Sequence, residues 1–128
     1  MIFSAISAFV RCGPQDGSAP KGIMNIDYSQ AARLIKSNPQ TVILDVRTPV
    51  EFTGDLGHIS GARLIPLRAI SDSLNSLSEY RETDVIIACR SGRRSAIAAG
   101  ELVRAGFKKV YNLSGGMIAW KAGGGKIE

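Results

Sequence analysis

The residues best suited to chemistry in this 128-residue chain lie in one short segment, residues 89–95, with the sequence CRSGRRS. It follows an apolar stretch, DVIIA at residues 84–88, and comes just before a helix predicted over residues 93–105. In open α/β sheets, ligands bind at the carboxyl ends of the strands, where the N–H groups of the following helix also point. We therefore predict that Cys89 lies in such a crevice.

The surroundings of Cys89 favour its ionised form. The helix dipole, the loop N–H groups and three arginines, at 90, 93 and 94, would each stabilise a thiolate. We expect the pKa of Cys89 to fall from about 8.5 into the range of roughly 3.5 to 7.5 found for activated cysteines. Gly92 would let the backbone approach the sulfur closely. Cys89 is thus predicted to be a nucleophile at neutral pH.

A cysteine after an apolar strand is more often a small buried hydrophobic residue. The neighbouring arginines argue against that interpretation here, because they cannot be buried without partners. Charge is also concentrated in this region: residues 1–88 hold 8 basic and 9 acidic side chains, and residues 89–128 hold 8 basic and 2 acidic ones. This pattern favours a small anionic ligand over nucleic acid, since aromatic residues are not interleaved with the basic ones.

The composition excludes several classes of protein. No apolar run reaches the roughly 18 residues that span a bilayer. Two cysteines and one histidine are too few for a disulfide scaffold, or for a four-ligand zinc site without carboxylates. We therefore predict one globular domain that uses neither metal nor cofactor.

Strand-like and helix-like segments alternate from residue 26 onward. Strands are predicted over residues 41–44, 63–65, 84–88 and 110–113, and helices over 28–36, 49–53, 67–77 and 93–105, with a last short helix after Gly115-Gly116 that carries Met117 and Trp120. The helix over 67–77 is inferred from the spacing of Leu67, Ile70, Leu74 and Leu77. This order predicts an α/β fold, with helices on both faces of a mainly parallel sheet.

Residues 1–22 are predicted to be a flexible or loosely docked tail, residues 23–122 the domain, and residues 123–128 a C-terminal tail. The first segment lacks the basic start and small-residue exit of a secretory signal, so a cytoplasmic location is expected, with export through residues 1–22 left open. Cys12 is interpreted as an incidental thiol, or else as a resolving partner for another cysteine.

Four segments together resemble a single-domain rhodanese, a sulfurtransferase, over about residues 23–122. They are ILDVR at 43–47 followed by Glu51-Phe52, GHISGA at 57–62, the loop at 89–95, and GGMIAW at 115–120. The resemblance implies a rhodanese fold with a five-stranded sheet. It also implies that Cys89 carries a persulfide. Sulfur would pass from thiosulfate or a similar anionic donor to cyanide or a thiol acceptor, which a partner protein could supply.

The resemblance also suggests roles for the loop and its neighbours. The substrate-binding loop would comprise Arg90, Ser91, Gly92, Arg93, Arg94 and Ser95, with Arg90 and Arg93 touching substrate and Arg94 and Ser95 bracing the loop. Asp45, Arg47 and His58 are interpreted as loop-supporting residues. Arg47 and Glu51, four residues apart, would form an ion pair. His58 would organise a loop through a hydrogen bond rather than act as a base.

Two alternatives to a free sulfurtransferase stay open. A cysteine-dependent phosphatase or arsenate reductase would have Cys-x5-Arg, whereas this chain has Cys-x4-Arg, with serine at the position of that arginine. The other alternative is a sulfur carrier or a partner-binding module of the same fold, without free thiosulfate turnover.

Overall fold

Residues 22–128 are described by a computed structural model. Most of the predicted N-terminal tail, including Cys12, lies outside the described residues. Five strands form one sheet: β1 (Ile23–Ile26), β2 (Val42–Asp45), β3 (Arg63–Leu64), β4 (Asp84–Ala88) and β5 (Lys109–Leu113). All neighbours pair in parallel, in the order β1-β5-β4-β2-β3. The apolar strand β4 is therefore central, and its residues 85–88 are buried.

Helices cover both faces of the sheet, which confirms the predicted α/β fold. They are α1 (Tyr28–Ser37), α2 (Pro49–Phe52), α3 (Ile70–Ser73), α4 (Arg93–Arg104) and α5 (Gly116–Ala122). Successive residues of β4 alternate between two cores. Val85 and Ile87 join the core that includes residues of α3 and α4, whereas Ile86 and Ala88 join the core that includes residues of α1 and α5.

The predicted helix over residues 67–77 is wrong in extent. The chain there forms a 3-10 turn (Leu67–Ala69), the single turn α3, and a second 3-10 turn (Ser78–Tyr80). Serine hydroxyls in this segment bond backbone carbonyls: Ser73 Oγ donates to Ala69 O and Ser76 Oγ to Ser73 O, each at 2.8 Å. Such bonds offer the backbone an alternative to continuous helix. The apolar side chains still face the core.

The remaining helices begin where local signals predict. Asp27 caps α1 in a capping box with Gln30. Thr48 caps α2 in the same way with Glu51, and Pro49 occupies the first turn. These caps fix the direction in which the chain leaves each strand, and the second one places Glu51 beside the carboxyl edge of the sheet.

The last residues of the chain lie against the domain. Ile127 pairs with Ile59 in an antiparallel bridge, and Glu128 exchanges two backbone hydrogen bonds with His58. Trp120 Nε1 donates to Lys126 O at 3.0 Å. Among the helices of residues 22–128, none has the length and apolar character needed to cross a membrane.

Candidate active site

Cys89 directly follows the central strand β4, and α4 begins four residues later at Arg93. The cysteine is buried, with 1% of its surface exposed. Gly92, the N-cap of α4, has φ of 107°, a conformation that favours glycine. The loop therefore turns sharply around the sulfur and directs the first N–H groups of α4 toward it.

Two groups contact the sulfur directly. The Gly92 N–H donates to Cys89 Sγ at 3.1 Å, and the Ser95 hydroxyl lies 3.3 Å from Sγ. Burial raises the pKa of Cys89, but hydrogen bonds from Ser95 and from the Gly92 and Ser91 amides outweigh it and hold the pKa below that of an ordinary thiol. The direction matches the sequence prediction. The largest lowering contribution is the hydrogen bond from Ser95, and the charge of Arg94 also interacts with the Cys89 thiolate.

The double glycine at 115 and 116 lets the start of α5 form hydrogen bonds with the Cys89 loop. Met117 N donates to Cys89 O at 2.8 Å, and Ile118 N donates to Arg90 O at 3.2 Å. Gly116 has φ of 56°, and a Cβ at this position would overlap the Arg90 carbonyl. Only glycine lets the amino end of α5 approach the loop carbonyls this closely. The motif GGMIAW does not by itself reveal this contact.

The three loop arginines have different surroundings. Arg94 donates to both oxygens of Glu51, at 2.7 and 2.8 Å. Arg90 and Arg93 are exposed, and neither has an ion-pair partner within residues 22–128. Arg94 thus braces the loop against α2, and Arg90 and Arg93 are left to interact with ligands.

The Glu51–Arg94 pair should make stability depend on pH. The hydrogen bond from Arg94 is the main cause that lowers the pKa of Glu51 from 4.5 to about 2. A carboxyl with a depressed folded pKa stabilises the fold above its unfolded pKa, and this contribution disappears as pH falls from about 4.5 to about 2. We expect Glu51→Gln to lower the free energy of unfolding by ~1–2 kcal/mol at pH 7, the pair being partly screened by solvent.

Urea unfolding at pH 7 and pH 3 would measure this loss. The deficit of Glu51→Gln should shrink at pH 3, and the exposed Glu82→Gln should differ little from wild type at either pH. A deficit equal at both values would contradict the assignment.

The predicted Arg47–Glu51 ion pair is wrong. Arg47 instead pairs with Asp45 at 2.7 Å, and both side chains are almost fully buried. Arg47 bonds only the backbone carbonyl of Glu51, at 3.2 Å, and also donates to Gly57 O at 2.7 Å. Asp45 and Arg47 therefore organise the segment between β2 and residue 57, from which Glu51 reaches Arg94.

His58 follows directly after that segment. Its Nδ1 is 2.9 Å from Phe52 O, and its ring stacks on Phe52 with centroids 3.6 Å apart. Its Nε2 lies 3.5 Å from Glu128 Oε1. These contacts connect α2 to the chain's last residue, and none of them involves the Cys89 loop.

Sequence reasoning missed a buried polar chain behind the sulfur. Ser95 Oγ donates to Asn112 Oδ1 at 2.5 Å, and Asn112 Nδ2 donates to Asn25 Oδ1 at 3.0 Å. The available signal was an asparagine inside the otherwise mostly apolar strand β5.

Comparison with known proteins decides the family. The family model of the rhodanese-like domain matches residues 27–123. The chain belongs to this family. Rhodanese relatives include Thiosulfate sulfurtransferase 18 of Arabidopsis thaliana, 34% identical over 110 residues, covering 77% of this chain and 78% of that one. The five-stranded parallel sheet agrees with this assignment.

One further relative and one solved structure bear on the alternatives. The putative sulfur carrier protein YrkF of Bacillus subtilis is 36% identical over 113 residues, covering 88% of this chain and 59% of that protein. A Rhodopseudomonas palustris protein of unknown function, described as a possible tyrosine phosphatase, has a similar structure. Its TM-score is 0.77 at 28% identity, covering 97% of this chain and 100% of that one.

Proposed function

We propose that this rhodanese transfers a sulfane sulfur through a persulfide on Cys89. The observation that carries the proposal is the environment of the sulfur: it lies at the end of the central strand and accepts the Gly92 N–H at 3.1 Å. Its pKa is held below that of a free thiol by the loop amides and Ser95. A lowered pKa increases the fraction of thiolate, which is the nucleophilic form of a cysteine.

The first half of the reaction takes sulfur from an anionic donor such as thiosulfate. The Cys89 thiolate attacks the outer sulfur, a bond forms between Sγ and that sulfur, and the S–S bond of thiosulfate breaks. Sulfite leaves with the bonding electron pair, and the negative charge passes to the outer sulfur of the persulfide. Loop N–H groups directed at this space would stabilise that charge.

Arg90 and Arg93 would attract the doubly charged donor. Both are exposed and lack an ion-pair partner in the described part of the chain, whereas Arg94 already binds Glu51. Charges of this kind raise the local concentration of an anion at the entrance to a site. The proposal therefore assigns donor contact to Arg90 and Arg93, and loop support to Arg94 and Ser95.

The second half returns the enzyme to its thiolate form. A nucleophilic acceptor, either cyanide or a thiolate, attacks the outer sulfur, the bond from Sγ breaks, and Cys89 leaves with the electron pair. Cyanide yields thiocyanate, and a thiol acceptor yields a new persulfide. The thiol could belong to a small molecule or to a partner protein. The similarity to a putative sulfur carrier supports this second route.

A phosphatase is less well supported, although one structural neighbour is described as a possible tyrosine phosphatase. Both terminal nitrogens of Arg94, which ends Cys-x4-Arg, bind Glu51 and do not face a free oxyanion site. With Cys89 only 1% exposed, a protruding single atom can reach the sulfur more easily than a tetrahedral phosphate can.

Intact mass spectrometry after incubation with thiosulfate tests the proposal. We expect the mass of one added sulfur, mapped to the peptide that contains Cys89 and removed by cyanide. Cys12→Ser is the matched control, and it should gain the same adduct. An adduct only on Cys12, or none, would overturn the proposal. Persulfide formation without multiple turnovers would instead favour a sulfur carrier.

A further inference from the structure

A chain of polar groups, buried up to Asn112 and ending at the exposed Asn25, connects Cys89 to the edge strand β1. It runs from Cys89 Sγ to Ser95 Oγ (3.3 Å), from Ser95 to Asn112 Oδ1 (2.5 Å), and from Asn112 Nδ2 to Asn25 Oδ1 (3.0 Å). Ser95 is fully buried, and Asn112 is 5% exposed. Buried polar groups must find partners within the protein, so each member of this chain constrains the next.

The amide of Asn112 can adopt only one orientation. Its Nδ2 also lies 3.3 Å from the backbone carbonyl of Gly92. Carbonyl oxygens only accept hydrogen bonds, so this side of the amide must be the NH2 group. Asn112 therefore presents its oxygen to Ser95, and this holds without any assumption about the protonation of Cys89.

The Ser95 hydroxyl has a single proton and two acceptors within reach. Asn112 Oδ1 has no hydrogen, so Ser95 must be the donor in the 2.5 Å contact. With the Ser95 proton on Asn112, the contact between Ser95 and Cys89 can be made only if the S–H group of Cys89 donates. In this arrangement the Ser95 proton does not stabilise the sulfur, and its hydrogen bond lowers the pKa of Cys89 only because the hydroxyl can turn to the thiolate. A thiolate, which cannot donate, needs the Ser95 proton for itself.

We propose that Asn112 is a positioning residue that holds the Ser95 hydroxyl away from the sulfur while Cys89 is a thiol and releases it when the sulfur becomes charged. The inference rests on the proposed function of Cys89 as the nucleophile. When Cys89 loses its proton to solvent, the Ser95 O–H bond rotates from Asn112 to Sγ, and no covalent bond of Ser95 breaks.

The same rotation would follow the charge through the catalytic cycle. In the persulfide the negative charge lies on the outer sulfur, and Sγ is a neutral divalent sulfur, which accepts hydrogen bonds only weakly. The Ser95 hydroxyl then returns to Asn112. When the acceptor removes the outer sulfur, the thiolate forms again and draws the hydroxyl back. Asn112 thus raises the free energy of each step of the cycle in which Cys89 is a thiolate, because the Ser95 hydroxyl must then leave Asn112.

The charged groups around the Cys89 loop come from several elements. They are Asp45 at the end of β2 with its partner Arg47, Glu51 on α2, Arg90 in the loop, and Arg93 and Arg94 at the start of α4. Asn112 on β5 is neutral, so replacing it leaves this electrostatic environment in place. A change in the titration of Cys89 would then report on the hydrogen-bond chain.

Replacing Asn112 with leucine tests the inference. The substitution removes the acceptor that competes with Cys89 for the Ser95 proton. The other partners of Asn112 keep hydrogen bonds, because Gly92 O still accepts the N–H of Ala96 and the exposed Asn25 can bind water. Ser95 should then donate to Sγ permanently. We expect the pH profile of Cys89 alkylation by iodoacetamide to move to lower pH, with about tenfold faster alkylation below the pKa. Mass spectrometry of the Cys89 peptide separates this signal from Cys12.

A double substitution distinguishes the hydrogen-bond chain from a loss of packing. Asn112→Leu should accelerate alkylation only where Ser95 is present, so Ser95→Ala and Ser95→Ala/Asn112→Leu should have the same profile. Tyr111→Phe, the neighbouring change on β5, should leave the wild-type profile unchanged. Asn112→Val replaces Asn112→Leu if the latter does not fold, as judged by thermal unfolding.

Equal shifts in both Ser95 backgrounds, or no shift in either, would overturn the inference. Alkylation needs no sulfur donor, so this outcome is independent of persulfide formation. A wild-type protein that forms no persulfide would overturn the proposed function and leave the alkylation result standing.

Discussion

Replacing Cys89 with serine is expected to lower kcat for sulfur transfer from thiosulfate to cyanide by at least about 10⁴-fold. A serine hydroxyl stays protonated at neutral pH, and the loop amides cannot remove its proton. The chain's single histidine, His58, contacts Phe52 and Glu128 rather than the loop. The histidine is therefore not placed to activate the hydroxyl as a base.

The fold should survive this change, because serine is slightly smaller than cysteine and can keep hydrogen bonds to Gly92 and Ser95. Steady-state assays of sulfite release would give kcat, and thermal unfolding would check the fold. Cys12→Ser, the same substitution at the other cysteine, is the matched control and should keep wild-type turnover. More than about 1% residual activity in a folded Cys89→Ser protein would contradict a Cys89 nucleophile.

The position of the loop was predictable because its signals are local. An unbroken apolar run such as DVIIA is typical of a central strand, as β4 is, and a central strand ends at the crevice of a parallel sheet. Gly92 marked the turn, and it has the positive φ that this requires. Each of these features depends on residues adjacent in sequence, where propensity and spacing are informative.

Partners distant in sequence were not predictable. The i, i+4 spacing suggested Arg47 with Glu51, but Glu51 pairs with Arg94, 43 residues away, and Arg47 pairs with Asp45. The i, i+4 rule applies to neighbouring side chains on the surface of one helix. Here the segment after β2 and the loop after β4 meet at the carboxyl edge of the sheet, and the fold brings these side chains together. The role of Asn112 was hidden for the same reason.

Strand β1 was missed for a different reason. It has only four residues, it pairs with β5 alone at the edge of the sheet, and its middle residues Met24 and Asn25 are exposed. A short edge strand of this kind has neither the apolar run of a central strand nor a clear alternation. Its position follows only from the pairing with β5, which sequence patterns do not report.

Replacing Arg47 with methionine is the second change for which we expect a large effect, this time on stability. Arg47 is 1% exposed and Asp45 is fully buried. Arg47 Nε bonds both carboxylate oxygens, at 2.9 and 3.1 Å, and Nη2 bonds one of them at 2.7 Å. Without the guanidinium, a buried carboxylate is left uncompensated. We expect the free energy of unfolding to fall by about 3–5 kcal/mol, a large part of a domain's stability.

Urea unfolding at pH 7 would measure this loss, and a double substitution would identify its cause. Asp45→Leu/Arg47→Met has no buried charge, so it should regain at least half of the loss; the rest arises from the carbonyls of Glu51 and Gly57, which lose their donor. Arg33→Met, an exposed arginine on α1, should change stability by less than about 0.5 kcal/mol. If Arg47→Met lowers the free energy of unfolding no more than Arg33→Met does, the buried Asp45–Arg47 pair does not stabilise the segment that follows β2. If the double variant is as unstable as Arg47→Met alone, the cause is lost packing and not an unpaired charge. The segment that carries Glu51 would then depend on the volume of the Arg47 side chain.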